Sequence, residues 1–283
     1  MPGRRSLQIP QFVSSLALTL GLSLAGVGGG GCASALERAR VARDAKDYPK
    51  AEQYYRTALT GEPADRPKAA KELAALKVTQ AHGKLKKGDA PAAEQLFREA
   101  MELDPKDDKA IDGLGRAQHS QGQLDAAITT LSAEGCAQCK RFLSVLLLER
   151  AAKREAAKDV PGARDDYQKA QALVPDVTTA LAIARLYDGE GDPETTLKAV
   201  EAAVPLIRDD DGASQAIFRS LREKGVLAAV TRGDVAMIDR WLNLFPPGAG
   251  GDEWYTLQLR VTQQLYRENK ADLATARARH LLS

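Results

Sequence analysis

The stretch that decides the fold is Lys46–Pro63, KDYPKAEQYYRTALTGEP, because the chain writes it again at Lys87–Pro105, KGDAPAAEQLFREAMELDP. Each copy runs through a charged residue, a turn, Ala-Glu-Gln, two bulky side chains, Arg, Ala, a bulky side chain and then Pro. The register extends in both directions. A small residue precedes each turn (Ala39, Ala81, Gly115, Ala151, Ala184), and another follows it (Ala51, Ala93, Ala127, Ala163), with Thr196 in the fifth copy. Next come a bulky residue (Tyr55, Phe97, Leu131, Tyr167, Val200) and a third small one (Ala58, Ala100, Ala170, Ala203), where Glu134 departs from the pattern. Pro63, Pro105 and Pro175 close three of the copies.

Physical chemistry gives each position a task. Small residues on two facing helices let the backbones close. The bulky residue fills the gap toward the next unit, and Pro, which has no N–H, stops the second helix. The turns Lys46-Asp47, Gly88-Asp89, Gly122-Gln123, Lys158-Asp159 and Gly191-Asp192 are polar or carry Gly. Ala39, Ala81, Gly115, Ala151 and Ala184 follow one another at intervals of 42, 34, 36 and 33 residues, a self-similarity that marks a repeat array. Composition agrees: of 283 residues only 5% are aromatic, and Ala, Glu, Lys, Arg and Leu are good helix formers. The net charge of +2 gives no global electrostatic footprint for nucleic acid, and none is expected as a partner.

These residues resemble the tetratricopeptide repeat family. The resemblance implies an all-α fold, a right-handed superhelical solenoid of helix-turn-helix hairpins. Five hairpins are expected over residues 32–207. Residues 208–283 read as two degenerate hairpins and a C-terminal cap, turning at Arg232-Gly233-Asp234 and near Asn269-Lys270. Pro246–Gly251 is expected as a loop between them, with Trp241, Phe245, Trp254 and Tyr255 closing the end as a hydrophobic cap.

Residues 1–31 are expected to be a signal peptide. Arg4 and Arg5 precede a short apolar run, Phe12–Val27, and small residues, which is the order of a secretory signal. Gly28–Cys32 resembles a bacterial lipoprotein box, although Gly29 stands where Leu is usual. That resemblance implies lipidation at Cys32; cleavage after Ala35 is the alternative. The expected location is the bacterial envelope, with a lipid anchor in a membrane, the outer one on its periplasmic side.

Cys136-Ala137-Gln138-Cys139 is the one cluster suited to chemistry. No strand pattern surrounds it, as a thioredoxin-type site would require. Lys140 stands where a haem-attachment motif has His, and a structural zinc site needs four ligands. In an exported protein the expectation is a local disulfide. His82, His119 and His280 are scattered. No enzyme activity, cofactor or metal is expected.

The family resemblance also implies that first helices line a concave groove. Carried over by position, the basic half of that groove is Arg40, Arg43, His82, Lys86, Lys109, Arg116 and His119. Val145, Leu148, Glu155, Leu181, Arg185 and Asp188 form a mixed continuation. The expected partner is an acidic or C-terminal carboxylate segment of another envelope protein, held by charge-assisted hydrogen bonds. The Lys and Asn pattern of the chaperone-tail clamp is absent. The function expected is a non-enzymatic scaffold or adaptor that assists assembly of an envelope complex. A thiol–disulfide redox protein using Cys136 and Cys139, or a passive spacer, are the alternatives.

Overall fold

In a computed structural model, residues 33–132, 136–244 and 251–282 are described. The expected signal peptide, Cys32, Phe245 and most of the loop that precedes Gly251 lie outside them. The described residues are helical and pair in sequence order. The pairs are α1 (Ala35–Asp44) with α2 (Tyr48–Thr60), α3 (Arg66–Lys86) with α4 (Ala90–Leu103), and α5 (Asp108–Ser120) with α6 (Leu124–Leu131). They continue with α7 (Cys139–Ala156) and α8 (Val160–Leu173), α9 (Val177–Glu190) and α10 (Pro193–Ala203), α11 (Gly212–Arg232) and α12 (Val235–Leu242), and α13 (Asp252–Arg267) and α14 (Ala271–Leu282). This is an all-α solenoid of helix-turn-helix hairpins.

One local device makes the hairpin turns. A single residue takes the left-handed conformation: Lys46, Gly88, Gly122, Lys158, Gly191, Gly233 and Asn269, with φ between 60° and 78°. In most hairpins Asp follows. Asp47, Asp89, Asp159, Asp192 and Asp234 each accept a hydrogen bond from the backbone N–H three residues on. Such a cap contributes about 1 kcal/mol. Pro49, Pro91, Pro161 and Pro193 then occupy the first turn of the second helix, where a missing N–H has no intrahelical partner to lose.

Packing follows from the small residues. Ala39 and Ala51, Ala81 and Ala93, and Ala151 and Ala163 are fully buried, so the paired backbones approach closely. Phe97 fills the space beside Gly113, where a Cβ would lie 2.2 Å from the ring. Leu131 does the same at Gly115, at 2.5 Å. Consecutive first helices pack on one another: α3 on α5, α5 on α7, α9 on α11, and α11 on α13. Consecutive second helices make no comparable contact among the described residues. The first helices therefore lie on the tighter, inner side of the curve.

Two features tie the hairpins together. Lys77 of α3 is buried, and its ammonium bonds Glu52 of α2 at 2.7 Å and Glu99 of α4 at 2.8 Å. Burial pushes its pKa down, but the two carboxylates more than offset this and hold it above the usual lysine value. Between the third and fourth hairpins, Arg150 of α7 bonds Asp125 of α6 and fully buried Asp166 of α8, each at 2.7 Å.

The aromatic residues expected as one terminal cap are dispersed. Trp241 is fully buried against Gly225, inside the sixth hairpin. Tyr255 remains 54% exposed, touching Trp254 edge-on with ring centroids 5.0 Å apart.

Candidate functional site

The groove residues read from the sequence lie on the first helices α1, α3 and α5, but their charge is largely spoken for. Arg40 forms a fork with Glu72 of α3: its Nε donates at 3.0 Å and its Nη2 at 2.5 Å. Tyr55 donates to the same carboxylate at 3.1 Å, and Arg43 approaches it at 3.5 Å while bonding Asp44 at 2.9 Å. Arg116 bonds Asp112, one turn back on α5, at 2.7 Å, and stacks over the Phe142 ring at 4.3 Å. His119 Nε2 lies 2.8 Å from Glu149 of α7. His82 is held edge-on to Phe97 at 5.1 Å.

Lys86 and Lys109 differ. Both are exposed, and neither ammonium has a partner among the described residues. The basic half of the groove is therefore a set of internal ion pairs with two free lysines, not one continuous cationic strip. An incoming carboxylate would have to compete with Glu72 for Arg40 and with Asp112 for Arg116. Farther along, Val145 projects into solvent at 56% exposure. Leu148 is half-buried and Leu181 fully buried, so Leu181 belongs to the core. Arg185 reaches toward Glu155 at 3.6 Å, and Asp188 pairs with Lys224 at 3.3 Å.

Glu72 was not among the sequence candidates. It lies in the early turns of α3, which begins at Arg66, just before the point where the repeat register starts the unit. Its carboxyl is held below the ordinary range, first by the Arg40 hydrogen bond and then, against some opposing desolvation, by Tyr55. The sign of the pH effect follows. A carboxyl with a depressed folded pKa stabilises above its unfolded value of about 4.3, and this is lost as pH falls through the folded value. Glu72→Gln is expected to lower the thermal midpoint at pH 7. The gap to wild type should close as the pH drops below about 4; a gap that stays constant would mean the ion pairing contributes nothing.

Cys136 and Cys139 form a disulfide, with Cα atoms 5.4 Å apart. Both residues are buried in an apolar cluster with Ile111, Ile128, Leu131, Leu143 and Leu146. A thiol–disulfide enzyme needs an accessible thiol of lowered pKa, and this buried bridge does not present one. The redox alternative has no support here. The bridge staples the entry to α7, beside the short α6. Closing so small a ring contributes about 2 kcal/mol in the chain-entropy model. Among the described residues, no group of three or more His, Cys, Asp or Glu side chains is placed to hold a metal. No described helix is long and apolar enough to cross a membrane.

Comparison with known proteins gives one family match, over part of the chain. A family model described as tetratricopeptide repeat matches residues 84–133, from the end of α3 through α6. No curated protein matches the chain. Among solved structures, the MamA protein is similar at 17% identity over 60% of this chain and 88% of its own, with a TM-score of 0.30. A TPR repeats protein from Bacteroides fragilis is 14% identical over 81% of this chain and 96% of its own, with a TM-score of 0.39. PilF of Pseudomonas aeruginosa is 15% identical over 75% and 91%, with a TM-score of 0.29.

Proposed function

We propose that the protein is an exported, lipid-anchored scaffold that binds another envelope protein along the inner face of its first helices. The observation that carries the reading is the inner face itself. First helices pack on one another at four junctions, and side chains such as Lys86, Lys109 and Val145 are exposed on them without a role in the core. Helical solenoids use extended concave surfaces of this kind to bind. The disulfide supports an oxidising compartment, in keeping with the signal-like residues 1–31 and an acylated Cys32. The partner segment is acidic, and it engages Lys86 and Lys109 through charge-assisted hydrogen bonds while Val145 offers an apolar contact.

The test is a photo-crosslinking amino acid placed singly at Lys86, Lys109 and Val145, and at the outer-face position Gln95, in intact envelopes. Inner positions should give one shared adduct and Gln95 none. The adduct should fall at least tenfold in a Lys86→Glu/Lys109→Glu background, a loss matching the cost of two such bonds. Reversal at Arg40 or Arg116 is a poor probe, because it would set two carboxylates against each other within the fold. Equal labelling from both faces would reject the groove. Cys32→Ser should abolish incorporation of labelled palmitate; acylation that persists would reject the anchor.

A further inference from the structure

Helix α13 displays an apolar stripe that stays largely open to solvent, although the Tyr266 hydroxyl lies 3.2 Å from Thr275 Oγ1 of α14. Tyr255, Leu259 and Tyr266 are 54%, 57% and 51% exposed, and their spacing places them on one helical face. At the place of Leu259 in earlier first helices, the apolar Leu36, Val78 and Leu181 are buried and Leu148 is half-buried, whereas Asp112 and Glu223 are charged and not buried. The last hairpin thus exposes a surface of the kind that the solenoid buries elsewhere.

The stripe matches in sequence at its two ends. It begins and ends on tyrosine, with Leu259 and Gln263 between. Its flanking charges are opposite: Asp252 at the N-terminal end and Arg267 at the C-terminal end are both exposed, and neither has an ion-pair partner among the described residues. Turned about a two-fold axis near the middle of α13, a second copy would lay Tyr255 beside Tyr266. It would also bring Asp252 within the reach of an arginine side chain from the other copy's Arg267. The helix dipoles would run antiparallel, each acidic end over a basic one. Such self-complementarity, with each contact made twice, is what an isologous interface requires.

We propose that the protein is a homodimer joined through antiparallel α13 helices, with Tyr255, Leu259 and Tyr266 as the apolar seam and Asp252–Arg267 pairs at its two ends. The seam lies in the last described hairpin, far along the solenoid from residue 33, so it leaves the inner face of the early hairpins free.

The experiment is sedimentation equilibrium of the full chain in detergent across micromolar concentrations. Wild type is expected as a dimer. Leu259→Glu/Tyr266→Glu should weaken association at least tenfold, with an unchanged helical circular dichroism spectrum. Because both ends are exposed, Asp252→Arg and Arg267→Asp should each fold yet associate weakly alone. Mixed together they should pair, since each then meets its complement at both ends. A wild-type monomer throughout, as expected if another protein covers the stripe, would overturn the proposal. So would a dimer indifferent to Leu259→Glu/Tyr266→Glu, or a mixture no tighter than its components.

Discussion

Asp166→Ala is expected to destabilise the protein by about 3 kcal/mol, the lower end of what removing one partner of a buried ion pair costs. Asp166 has no solvent exposure. Its carboxylate takes Nε and Nη2 of Arg150 at 2.9 and 2.7 Å, and Nη1 of Arg154 at 2.8 Å. Removing it leaves two guanidinium groups facing an apolar gap. They are 18% and 32% exposed and can turn partly to water, which is why the estimate stays low in the range. The position matters as much as the sum. Arg150 also holds Asp125 of α6 at 2.7 Å, and α6 is the short second helix of the third hairpin, with 8 residues against 14 in α4. In a solenoid each unit is held chiefly by its neighbours. A weakened joint should therefore separate the unfolding of the first three hairpins from that of the rest. Urea unfolding followed by hydrogen exchange would show it: α7 and α8 should lose protection first, and α1 and α2 should keep theirs. Uniform loss along the whole chain would mean the joint is not special.

The same joint shows why parts of the molecule were legible in the sequence and others were not. The hairpins are written locally. Asp47, Asp89, Asp159, Asp192 and Asp234 cap the helices that follow, and the left-handed residue just before each sits at the turn the sequence marks. Period, turn chemistry and small-residue spacing agree, and such agreement across levels specifies a fold. Three turns use Lys46, Lys158 and Asn269 in place of Gly, so glycine alone would have missed them. The prolines at the starts of second helices were a further signal that the reading by helix-ending prolines passed over.

The site was less legible because charge is relational. Arg40, Arg116 and His119 read as a basic groove when their positions are taken one by one. Glu72, which neutralises Arg40, lies upstream of the repeat register, and Glu149, which meets His119, belongs to the next hairpin. No single-unit pattern pairs them. The terminal aromatics differ in burial for a similar reason. Trp241 and Tyr255 are near in sequence, yet one is fully buried against a neighbouring helix and the other is half exposed on α13. Aromatic content alone does not say which side of a helix meets a neighbour.

Gly225 supplies the second large effect, and it should carry the opposite sign to the usual rule. Gly to Ala in a helix interior ordinarily stabilises by about 1 kcal/mol. Gly83 of α3 should follow that rule, since an added Cβ there meets nothing within 4 Å. Gly225 of α11 is packed under the indole of Trp241, where a Cβ would lie 2.2 Å from Cε2 and 2.3 Å from Cζ2. The ring is rigid and has no exposure, so it cannot swing aside. Overpacking of this kind costs about 1–3 kcal/mol, which exceeds the helix gain. Trp241→Ala errs in the other direction: it empties the space above Gly225 and should cost about 3–5 kcal/mol. The two errors partly cancel. In Gly225→Ala/Trp241→Leu the new methyl group enters room the smaller side chain has left, so the double variant should be more stable than the sum of its parts by about 1 kcal/mol or more. A chemical-denaturation cycle over Gly225→Ala, Trp241→Leu and their double variant, with Trp241→Ala and Gly83→Ala measured alongside, tests all of it. Gly225→Ala melting above wild type, or a cycle with no coupling, would mean that Trp241 does not rest on α11 as described.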